Sequence, residues 1–381
     1  MSGPLRDLKV LEFAGLGPTP YSCMMLADMG AQVLRIDRID AGSSPVDMSR
    51  ELLNRGRPSI ALDLKSPDGI AFARELAATV DVLVEGFRPG VMERLGLGPA
   101  PLMADNPRLV YARMTGWGQE GPMSQQAGHD INYLALTGAL HMMGPADRPP
   151  VPPINLVGDY GGGGMFLVTG ILAALLERAN SGRGQQVDAA MADGASLLLT
   201  QMFGWSRMGL WREEREGNLL DGAAYFYRCY ETADGRYMAV GALEPQFHAN
   251  LIRGLGLDPE AFANHLDRRH WAARAAELAA VFRTRSQADW VATFEGIDAC
   301  VSPVLTMAEA VNYPANVARR AHETLAGIEQ PAPAPRFSRT PASLSTPPVL
   351  PGEGGASRLA DWGVPGARLD MLRGAGLLRA S

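Results

Sequence analysis

The hydrophobic and polar positions in the N-terminal part of the chain alternate between two kinds of segment. Two segments have helical spacing, YSCMMLADMGA and SPDGIAFARELAATV, and Ser66 and Pro67 suit the N-cap and first turn of the second. The short apolar runs around them are typical of buried β-strands: LKVLEFAG, QVLRIDR, DVLVEGF and RLVYARMTGWG. Strands and helices in alternation, with glycine-rich turns at strand ends, favour a parallel sheet wrapped by helices.

The middle of the chain changes from this alternation to long apolar stretches with helical spacing. The segment DYGGGGMFLVTGILAALLE, Asp159–Glu177, places four glycines before an apolar helix, which predicts Asp159 at or near a helix N-terminus. The next segment, GRGQQVDAAMADGASLLLTQMFGWSRMGLW, continues with helical apolar runs and is predicted to lead away from the first domain.

A second β-rich region follows in AYFYRCYETADGRYMAVGAL. Its two runs flank Asp234-Gly235, which is a strong hairpin signal. Three further features are predicted after it: helices around Gln246–Leu255 and Trp271–Thr284, and a strand running into a helix at CVSPVLTMAEAV. The proline-rich EQPAPAPRFSRT has the composition of a linker that returns the chain to the first domain.

These patterns predict an α/β fold with a Rossmann-like parallel-sheet large domain and a smaller α+β domain. The predicted boundaries are a large domain over 1–190 completed by a return segment 330–381, a helical linker 191–222, a small domain 223–320 and a return linker 321–340.

Composition narrows the class of protein. A chain of 381 residues with 46% hydrophobic and 20% charged residues is typical of a soluble globular protein with two domains. The net charge of −6 argues against a nucleic-acid partner. No secretory signal opens the chain, and the apolar stretch Met165–Leu176 looks too short to span a bilayer, so no membrane is expected. Cys23, Cys229 and Cys300 fit neither a zinc site nor a disulfide framework, which leaves the cytoplasm as the default compartment.

The segment EFAGLGPTPYS raises the possibility of a dinucleotide site. It follows a strand, opens a helix, and Asp37 ends the next strand, as in a Rossmann fingerprint. Pro20 stands where the third glycine is needed, and a proline prevents close packing there. An NAD site is therefore disfavoured, and the glycines at 161–164 lack the Lys-Ser/Thr of a P-loop.

Four basic residues stand at or just after predicted strand ends: Arg38, Lys65, Arg88 and Arg94. The carboxyl ends of parallel strands are where α/β sheets bind ligands, and several cations there suit a ligand with several phosphates. An ordinary solvated rim is the alternative interpretation of the same four residues.

Three further residues are candidates for acid–base chemistry. Taken singly, His129 in GHD suits a packed or capping histidine, Asp159 suits a helix cap, and Glu244 in GALEPQF suits a turn. GHD is not a metal site by itself, because no second histidine lies within a turn of it. A histidine, a helix-terminal carboxylate, a glutamate and a phosphate-binding rim in one chain together favour a catalytic site.

Four blocks closely resemble the α-methylacyl-CoA racemases, which belong to the family III CoA-transferase fold: RMTGWGQEGPMSQQAGHDINYLALTGAL, NLVGDYGGGGMFLVTGILAAL, GRGQQVDAAMADG and YETADGRYMAVGALEPQF. The blocks come in the right order, and the likeness extends from the N-terminal GPLRDLKVLEFAG to PAPRFSRT. It weakens only after about residue 341.

The resemblance implies a large domain that binds CoA rather than NAD, with His129 and Asp159 as the catalytic pair and Glu244 bonded to the histidine. It implies an interlocked homodimer in which Glu244 comes from the partner chain. The residues implied to contact CoA are Arg38, Leu62, Asp63, Leu64, Lys65, Gly86, Phe87, Arg88, Arg94, Gly128, Asp130, Ile131, Asn132 and Tyr133.

The activity implied is racemisation of a 2-methylacyl-CoA thioester at its α-carbon, by two bases and through an enolate, with no metal or organic cofactor. The alternative on the same fold is a CoA transferase in which Asp159 attacks the thioester to form a mixed anhydride. GHDINY favours the racemase, because those transferases lack a histidine equivalent to His129. An NAD dehydrogenase and a non-catalytic acyl-CoA binder are the alternatives of other classes.

Methionine is an adaptable apolar side chain, which suits an acyl group that moves between two faces. Most of the 18 methionines are expected in the core, and a few of the following to line the acyl path: Met142, Met143, Met165, Met191 and Met208.

Overall fold

The computed structural model describes residues 3–40 and 47–381, and the chain divides into two compact units. The first unit is formed by the chain up to Thr137, by Ile154–Leu198 and by Val317–Ser381, and the second by Gly138–Pro153 and Leu199–Asn316. Each unit therefore draws on separate parts of the sequence.

The first unit alternates strands and helices along its N-terminal part, as predicted. Its elements as far as Leu198 are β1 Lys9–Phe13, α1 Pro18–Asp28, β2 Gln32–Arg38, β3 Ser59–Leu62, α2 Pro67–Ala77, β4 Val82–Glu85, α3 Val91–Arg94, α4 Pro99–Asp105, β5 Val110–Thr115, α5 Asp130–Thr137, a π-helix Leu156–Gly164, α6 Met165–Ser181, β6 Gln186–Ala190 and α7 Met191–Leu198.

The second unit follows with a three-stranded sheet and its helices. Its elements are α8 Thr200–Arg207, β7 Tyr227–Glu231, β8 Tyr237–Gly241, α9 Pro245–Gly254, α10 Trp271–Phe282, α11 Gln287–Phe294, β9 Val301–Pro303 and α12 Met307–Asn312. The chain then passes through α13 Pro314–Arg319 back to the first unit, where it forms β10 His322–Leu325, β11 Ile328–Pro331, α14 Gly355–Asp361, α15 Gly366–Gly374 and β12 Leu378–Arg379. Short 3₁₀ turns lie at Met48–Arg50, Leu52–Asn54, Leu140–Met142, Glu260–Phe262 and Arg268–His270.

The main sheet of the first unit has the strand order β12-β3-β2-β1-β4-β5-β6. All neighbouring pairs are parallel except β12, which pairs antiparallel with β3 at the edge. The order 3-2-1-4-5-6 is that of a doubly wound Rossmann-like sheet. Its order reverses between β1 and β4, which is where such sheets form a ligand crevice.

Helices cover both faces of this sheet, so its central strands are apolar on both sides. On one face Phe72 and Leu76 of α2 pack with Leu11 and Leu83 of the strands. On the other face Leu26 of α1 and Ile171 of α6 pack with Val33 and Val84. The parallel sheet predicted from the apolar runs is confirmed.

The π-helix and α6 form one continuous helical run, Leu156–Ser181, of 26 residues. This run is long and apolar enough to span a bilayer by length and composition, which corrects the expectation drawn from Met165–Leu176. In the first unit it packs against α1, β5 and β6, as a core helix does. Its first turns approach α7 closely, since a Cβ on Gly162 would lie 2.6 Å from the backbone nitrogen of Ala195.

In the second unit β7 and β8 form the antiparallel hairpin predicted at Asp234-Gly235, and β9 pairs with β8. Gly235 has a φ of +73°, the left-handed conformation that this turn requires. The helices predicted after the hairpin are confirmed as α9 and α10. Their apolar side chains and those of the sheet form a core of their own, with Phe282 stacked 4.9 Å from Tyr230.

The structure corrects two local expectations. The segment that begins at GRGQQVDAA is not helical throughout, because Gln186–Ala190 forms β6 and pairs with β5 before α7 starts. The segment 321–340 is not simply a linker, since β10 and β11 form an antiparallel pair within it. In both places pairing with another strand determines the secondary structure, and hydrophobic spacing alone does not reveal that pairing.

Candidate active site

A cavity of about 620 Å³ opens in the first unit at the carboxyl ends of β1, β4 and β5, where the strand order reverses. The loop after β1 contributes Ala14–Pro18, the loop after β4 contributes Gly86–Pro89, and the end of β5 contributes Met114–Trp117. The start of α5 and the π-helix close the cavity. The predicted site residues that line it are Gly86, Phe87, Arg88, Gly128, His129, Tyr133 and Asp159.

The loop that carries Phe87 and Arg88 is held by a buried guanidinium. Arg113 of β5 donates from Nε to Glu85 Oε1 at 2.9 Å, and its Nη1 lies 2.9 Å from Oε1 of Glu93 in α3. Glu85 in turn accepts the backbone N–H of Phe87 through Oε2 at 2.7 Å. Burial raises the pKa of Glu85, and Arg113 acts against that rise. Arg113 thus connects the residue before the loop with the helix after it.

His129 stands immediately before α5, with its backbone fixed and its side chain exposed toward the cavity. Its N–H donates to Asn132 Oδ1 at 3.0 Å, and its carbonyl accepts the N–H of Asn132 at 2.8 Å. Tyr133 donates its hydroxyl to the Gly128 carbonyl at 2.5 Å, and its pKa is raised to about 12 by burial and by Asp159 and Asp130. The start of the helix therefore fixes where the imidazole lies.

Asp159 is half-buried in the first turn of the π-helix. Its backbone N–H donates to Oδ1 of Asp130 at 2.8 Å, and its Oδ2 lies 3.5 Å from Nδ2 of Asn155. Burial is the largest cause that raises the pKa of Asp159, followed by the Asp130 carboxylate. The Asn155 amide and His129 act in the opposite direction. A carboxyl group with raised proton affinity and an exposed imidazole therefore share one cavity.

The basic residues at strand ends form a second group on the same edge of the sheet. Arg38 Nε and Lys65 Nζ both approach Asp40, at 2.9 Å and 3.0 Å. These two cations lower the pKa of Asp40 well below its usual range. Arg94 is exposed at the end of α3. These exposed side chains are available to a charged ligand beside the cavity.

Several residues predicted to contact CoA have other surroundings. Leu62 is buried in β3, and Asp63 accepts the N–H of Lys65 at 2.9 Å, while Leu64 packs at the margin of the core. Ile131 is exposed on α5 and does not line the cavity. Asp130 is buried beneath the π-helix, and Asn132 holds the backbone of His129.

Glu244 lies in the second unit, as the exposed N-cap residue of α9. Its side chain makes no capping hydrogen bond, while its carbonyl accepts the N–H of His248 at 2.9 Å. The residue before it is also fixed, because the ring Nε2 of His265 lies 2.9 Å from the Leu243 carbonyl. Within the described part of the second unit the Glu244 carboxylate makes no hydrogen bond or ion pair, and its charge adds to the burial and the Asp298 carboxylate that raise the pKa of the Cys300 thiol.

Two features of the cavity wall follow from the elements that form it. A π-helix pairs each N–H with the carbonyl five residues earlier, so the amides of Gly161–Gly164 are engaged inside the helix. Of the five methionines proposed for the acyl path, Met191 lines the cavity, and Met114, which was not singled out, lines it as well.

From the sequence alone, the loop after β1 indicates only an imperfect dinucleotide fingerprint. In the structure it forms one wall of the cavity. Leu16 is 92% exposed there, and a Cβ on Gly17 would lie 3.2 Å from Asp159 Oδ2. Asp37, the acidic residue that a ribose would require, is occupied: Arg35 Nε and Ser59 Oγ donate to its Oδ2 at 2.7 Å and 2.5 Å. The position of the loop after β1 at the carboxyl end of a strand is the sequence signal that could have identified it as a wall of the cavity.

Comparisons with known proteins identify the family. The family model described as CoA-transferase family III matches residues 5–355. The α-methylacyl-CoA racemase of Mus musculus is 47% identical over 339 residues, 89% of this chain and 87% of that protein. The succinyl-CoA:glutarate CoA-transferase of Mus musculus is 31% identical over 370 residues, 92% of this chain and 84% of that protein. Among solved structures, a CAIB/BAIF family protein from Brucella suis has a TM-score of 0.81 at 26% identity, covering 95% of this chain and 100% of that one.

Proposed function

Since this chain belongs to CoA-transferase family III, we propose that it is an isomerase that racemises 2-methylacyl-CoA thioesters at the α-carbon. The similarity to an α-methylacyl-CoA racemase is greater than that to a transferase from the same organism, at 47% against 31% identity. The observation that carries the proposal is the presence of His129 and Asp159 on one cavity at the switch point of the sheet. Two proton-transfer groups at one site are what inversion of a carbon centre requires.

The α-hydrogen of a thioester is weakly acidic, because the carbanion is delocalised into the carbonyl as an enolate. Inversion removes the proton from one face and returns another to the opposite face. His129 acts as the base toward one enantiomer and Asp159 toward the other, and the group that is not the base donates the returning proton. The chemistry needs no metal and no organic cofactor, because each step moves only a proton.

The CoA part of the substrate has separate requirements. Arg88 on the cavity wall, with Arg38, Lys65 and Arg94 at the same edge of the sheet, suits the phosphates of CoA. Holding CoA there leaves the α-carbon free to reach both His129 and Asp159 by a small movement of the acyl group. Met114 and Met191 give that movement a soft apolar wall.

The proposal extends to assembly. The protein acts as a homodimer in the cytoplasm, and Glu244 of one chain orients the imidazole of His129 in the other and stabilises its cation. The exposed carboxylate of Glu244, which makes no hydrogen bond or ion pair with the described residues of its own unit, supports this role.

The second candidate is a CoA transferase in which Asp159 forms an acyl anhydride. The half-buried carboxyl at the cavity favours it as much as it favours the racemase. His129 discriminates between them, because anhydride chemistry gives the imidazole no duty. Its backbone is nevertheless fixed by Asn132 so that the ring reaches the cavity.

Incubation of the protein with 2-methylacyl-CoA esters of a single hand tests the proposal. In heavy water we expect both hands to accumulate, each with deuterium at the α-carbon, as measured by chiral chromatography and mass spectrometry. The panel includes branched fatty acyl, sterol side-chain and arylpropionyl esters. Transfer of CoA to an added carboxylate without α-deuteration would instead establish the transferase.

A further inference from the structure

Asp130, the residue next to His129, is a buried acidic residue that contacts Asp159. Asp130 is the first residue of α5 and is only 7% exposed. Its Oδ1 accepts the backbone N–H of Asp159 at 2.8 Å. Its Oδ2 is buried and has no hydrogen-bond partner among the described residues. A buried carboxylate oxygen without a donor is costly, so a function for it is worth seeking.

The packing around this pair is specific. A Cβ on Gly158 would clash with Asp130 Oδ1, so glycine at this position lets the π-helix settle directly on the carboxylate. The hydrogen bond to the Asp159 nitrogen limits the separation of the two carboxyl groups to about 7 Å by covalent geometry. The two acids are therefore held close by the backbone, whatever the rotamer of Asp159.

We propose that Asp130 is a positioning residue that holds Asp159 in place and keeps a second carboxyl group close to it, so that Asp159 can serve as acid as well as base. This inference rests on the proposed racemisation. It assigns Asp130 a part in proton transfer instead of a contact with CoA.

A two-base racemase needs this adjustment because its active state carries one proton on two groups. That proton lies on His129 when Asp159 is the base, and on Asp159 when His129 is the base. With ordinary pKa values of about 3.9 and about 6.5, the form with the proton on aspartate is rarer by a few hundredfold. A second carboxylate close to Asp159 reduces this imbalance, because like charge disfavours ionisation.

The surroundings of Asp159 agree with a raised pKa. Burial and the Asp130 carboxylate both raise its pKa. The elements packed against the π-helix carry further titratable groups: Tyr21, Cys23 and Asp28 of α1, His129 and Tyr133 at α5, Glu177 and Arg178 of α6, Asp188 of β6 and Asp193 of α7. The pKa of Tyr133, at about 12, leaves it neutral near pH 7, and of all these groups His129 is the one that lowers the pKa of Asp159 against the effect of Asp130.

Replacement of the charge tests the inference. Asp130→Asn keeps an oxygen that accepts the Asp159 N–H, and Asp130→Ser keeps a shorter hydroxyl acceptor, while both remove the negative charge. Asp193→Asn is the matched control, since it removes an exposed carboxylate from the helix packed on the same π-helix. Two measurements are made on each protein: the side-chain carboxyl ¹³C titration of Asp159, assigned with Asp159→Asn, and the pH profile of kcat/KM for both enantiomers.

We expect the Asp130 variants to shift the Asp159 titration to lower pH. The acid limb of kcat/KM reflects uptake of a second proton by the His129–Asp159 pair, so it moves to lower pH as well. At neutral pH, kcat/KM falls by the same factor for both enantiomers, because the equilibrium between them does not change. Asp193→Asn leaves both measurements unmoved.

Other outcomes have definite meanings. A fall in kcat/KM with an unmoved acid limb and an unmoved Asp159 titration makes Asp130 merely structural and overturns the inference. An Asp159 titration that shifts in a protein that never inverts a substrate supports the effect of Asp130 and rejects the racemase. Should neither Asp130 variant fold, the wild-type ¹³C titrations of Asp130 and Asp159 decide: coupled two-step curves support the inference, and two independent single-step curves overturn it.

Discussion

At the scale of single residues, the proposal depends on His129 and Asp159 acting on opposite faces of one carbon. The two groups differ in setting, since the imidazole is exposed before α5 and the carboxyl is half-buried in the π-helix. They reach the cavity from separate elements, so each can be removed without taking away the backbone that supports the other. Single variants can thus separate the two proton transfers.

We predict that His129→Ala and Asp159→Ala each reduce inversion by about 10²- to 10⁴-fold, the usual contribution of a general acid or base. In heavy water each variant should still exchange the α-hydrogen of one enantiomer, and the two should prefer opposite hands. Proton NMR of the separated enantiomers measures both. His270→Ala, an exposed histidine of the second unit, is the control and should behave as wild type.

Near-normal inversion by His129→Ala would show that this histidine has only a packing role. Another group would then have to act as the second base beside Asp159.

Residue types alone could identify the candidates but not their arrangement. A histidine after glycine and an aspartate before four glycines were visible as possible acid–base groups. The part of Asp130 was not, because its importance comes from a hydrogen bond to a residue in another helix, 29 positions away. Sequence spacing contains no information about which buried carboxylate will face which.

At the scale of elements, the close approach of α7 to the π-helix positions Asp159. A Cβ on Gly194 of α7 would overlap the carbonyl oxygen of Gly162, so the two helices touch through their backbones. Gly162 lies less than one helical turn from Asp159. Any side chain at Gly194 must push the π-helix outward and carry the carboxyl with it.

We predict that Gly194→Ala destabilises the protein by about 1–3 kcal/mol through overpacking and lowers kcat for inversion. Gly374→Ala is the matched control, because this exposed glycine ends α15 and a Cβ there meets nothing within 4 Å. It should stabilise by about 0.4–1 kcal/mol and leave kcat unchanged. Urea unfolding and steady-state kinetics measure both, and equal effects from the two substitutions would show that the helix contact does not set the site.

Elements with strong periodicity were predictable, and those that depend on partners were not. The buried strands β1, β2, β4 and β5 and helix α2 follow directly from apolar runs and capping residues. β6 was missed because only its last two residues are buried and it is a strand only through its pairing with β5. The π-helix could not be anticipated either. Glycines before an apolar run predict where a helix starts, but not whether its hydrogen bonds join residues four or five positions apart.

At the scale of the whole molecule, the chain leaves and re-enters the first unit, which is why its boundaries are hard to find in sequence. β12, at the end of the chain, pairs with β3 and completes the sheet. No local pattern in the tail indicates that partner. The proposed catalytic groups lie in different units, with His129 and Asp159 in the first and Glu244 in the second, so mixing variants can test how they combine.

The proposed dimer joins Glu244 of one chain to His129 of the other, so two inactive variants should restore each other. Co-expression of His129→Ala with Glu244→Ala produces mixed dimers in which one of the two sites has neither substitution. We expect inversion well above that of either variant alone, measured on dimers purified through two different affinity tags. His129→Ala with Asp159→Ala is the control, because both groups belong to the first unit and every mixed site keeps one defect. Failure of the test pair to recover, or an active monomer by sedimentation, would place Glu244 in the same chain as the histidine it orients or remove it from the site.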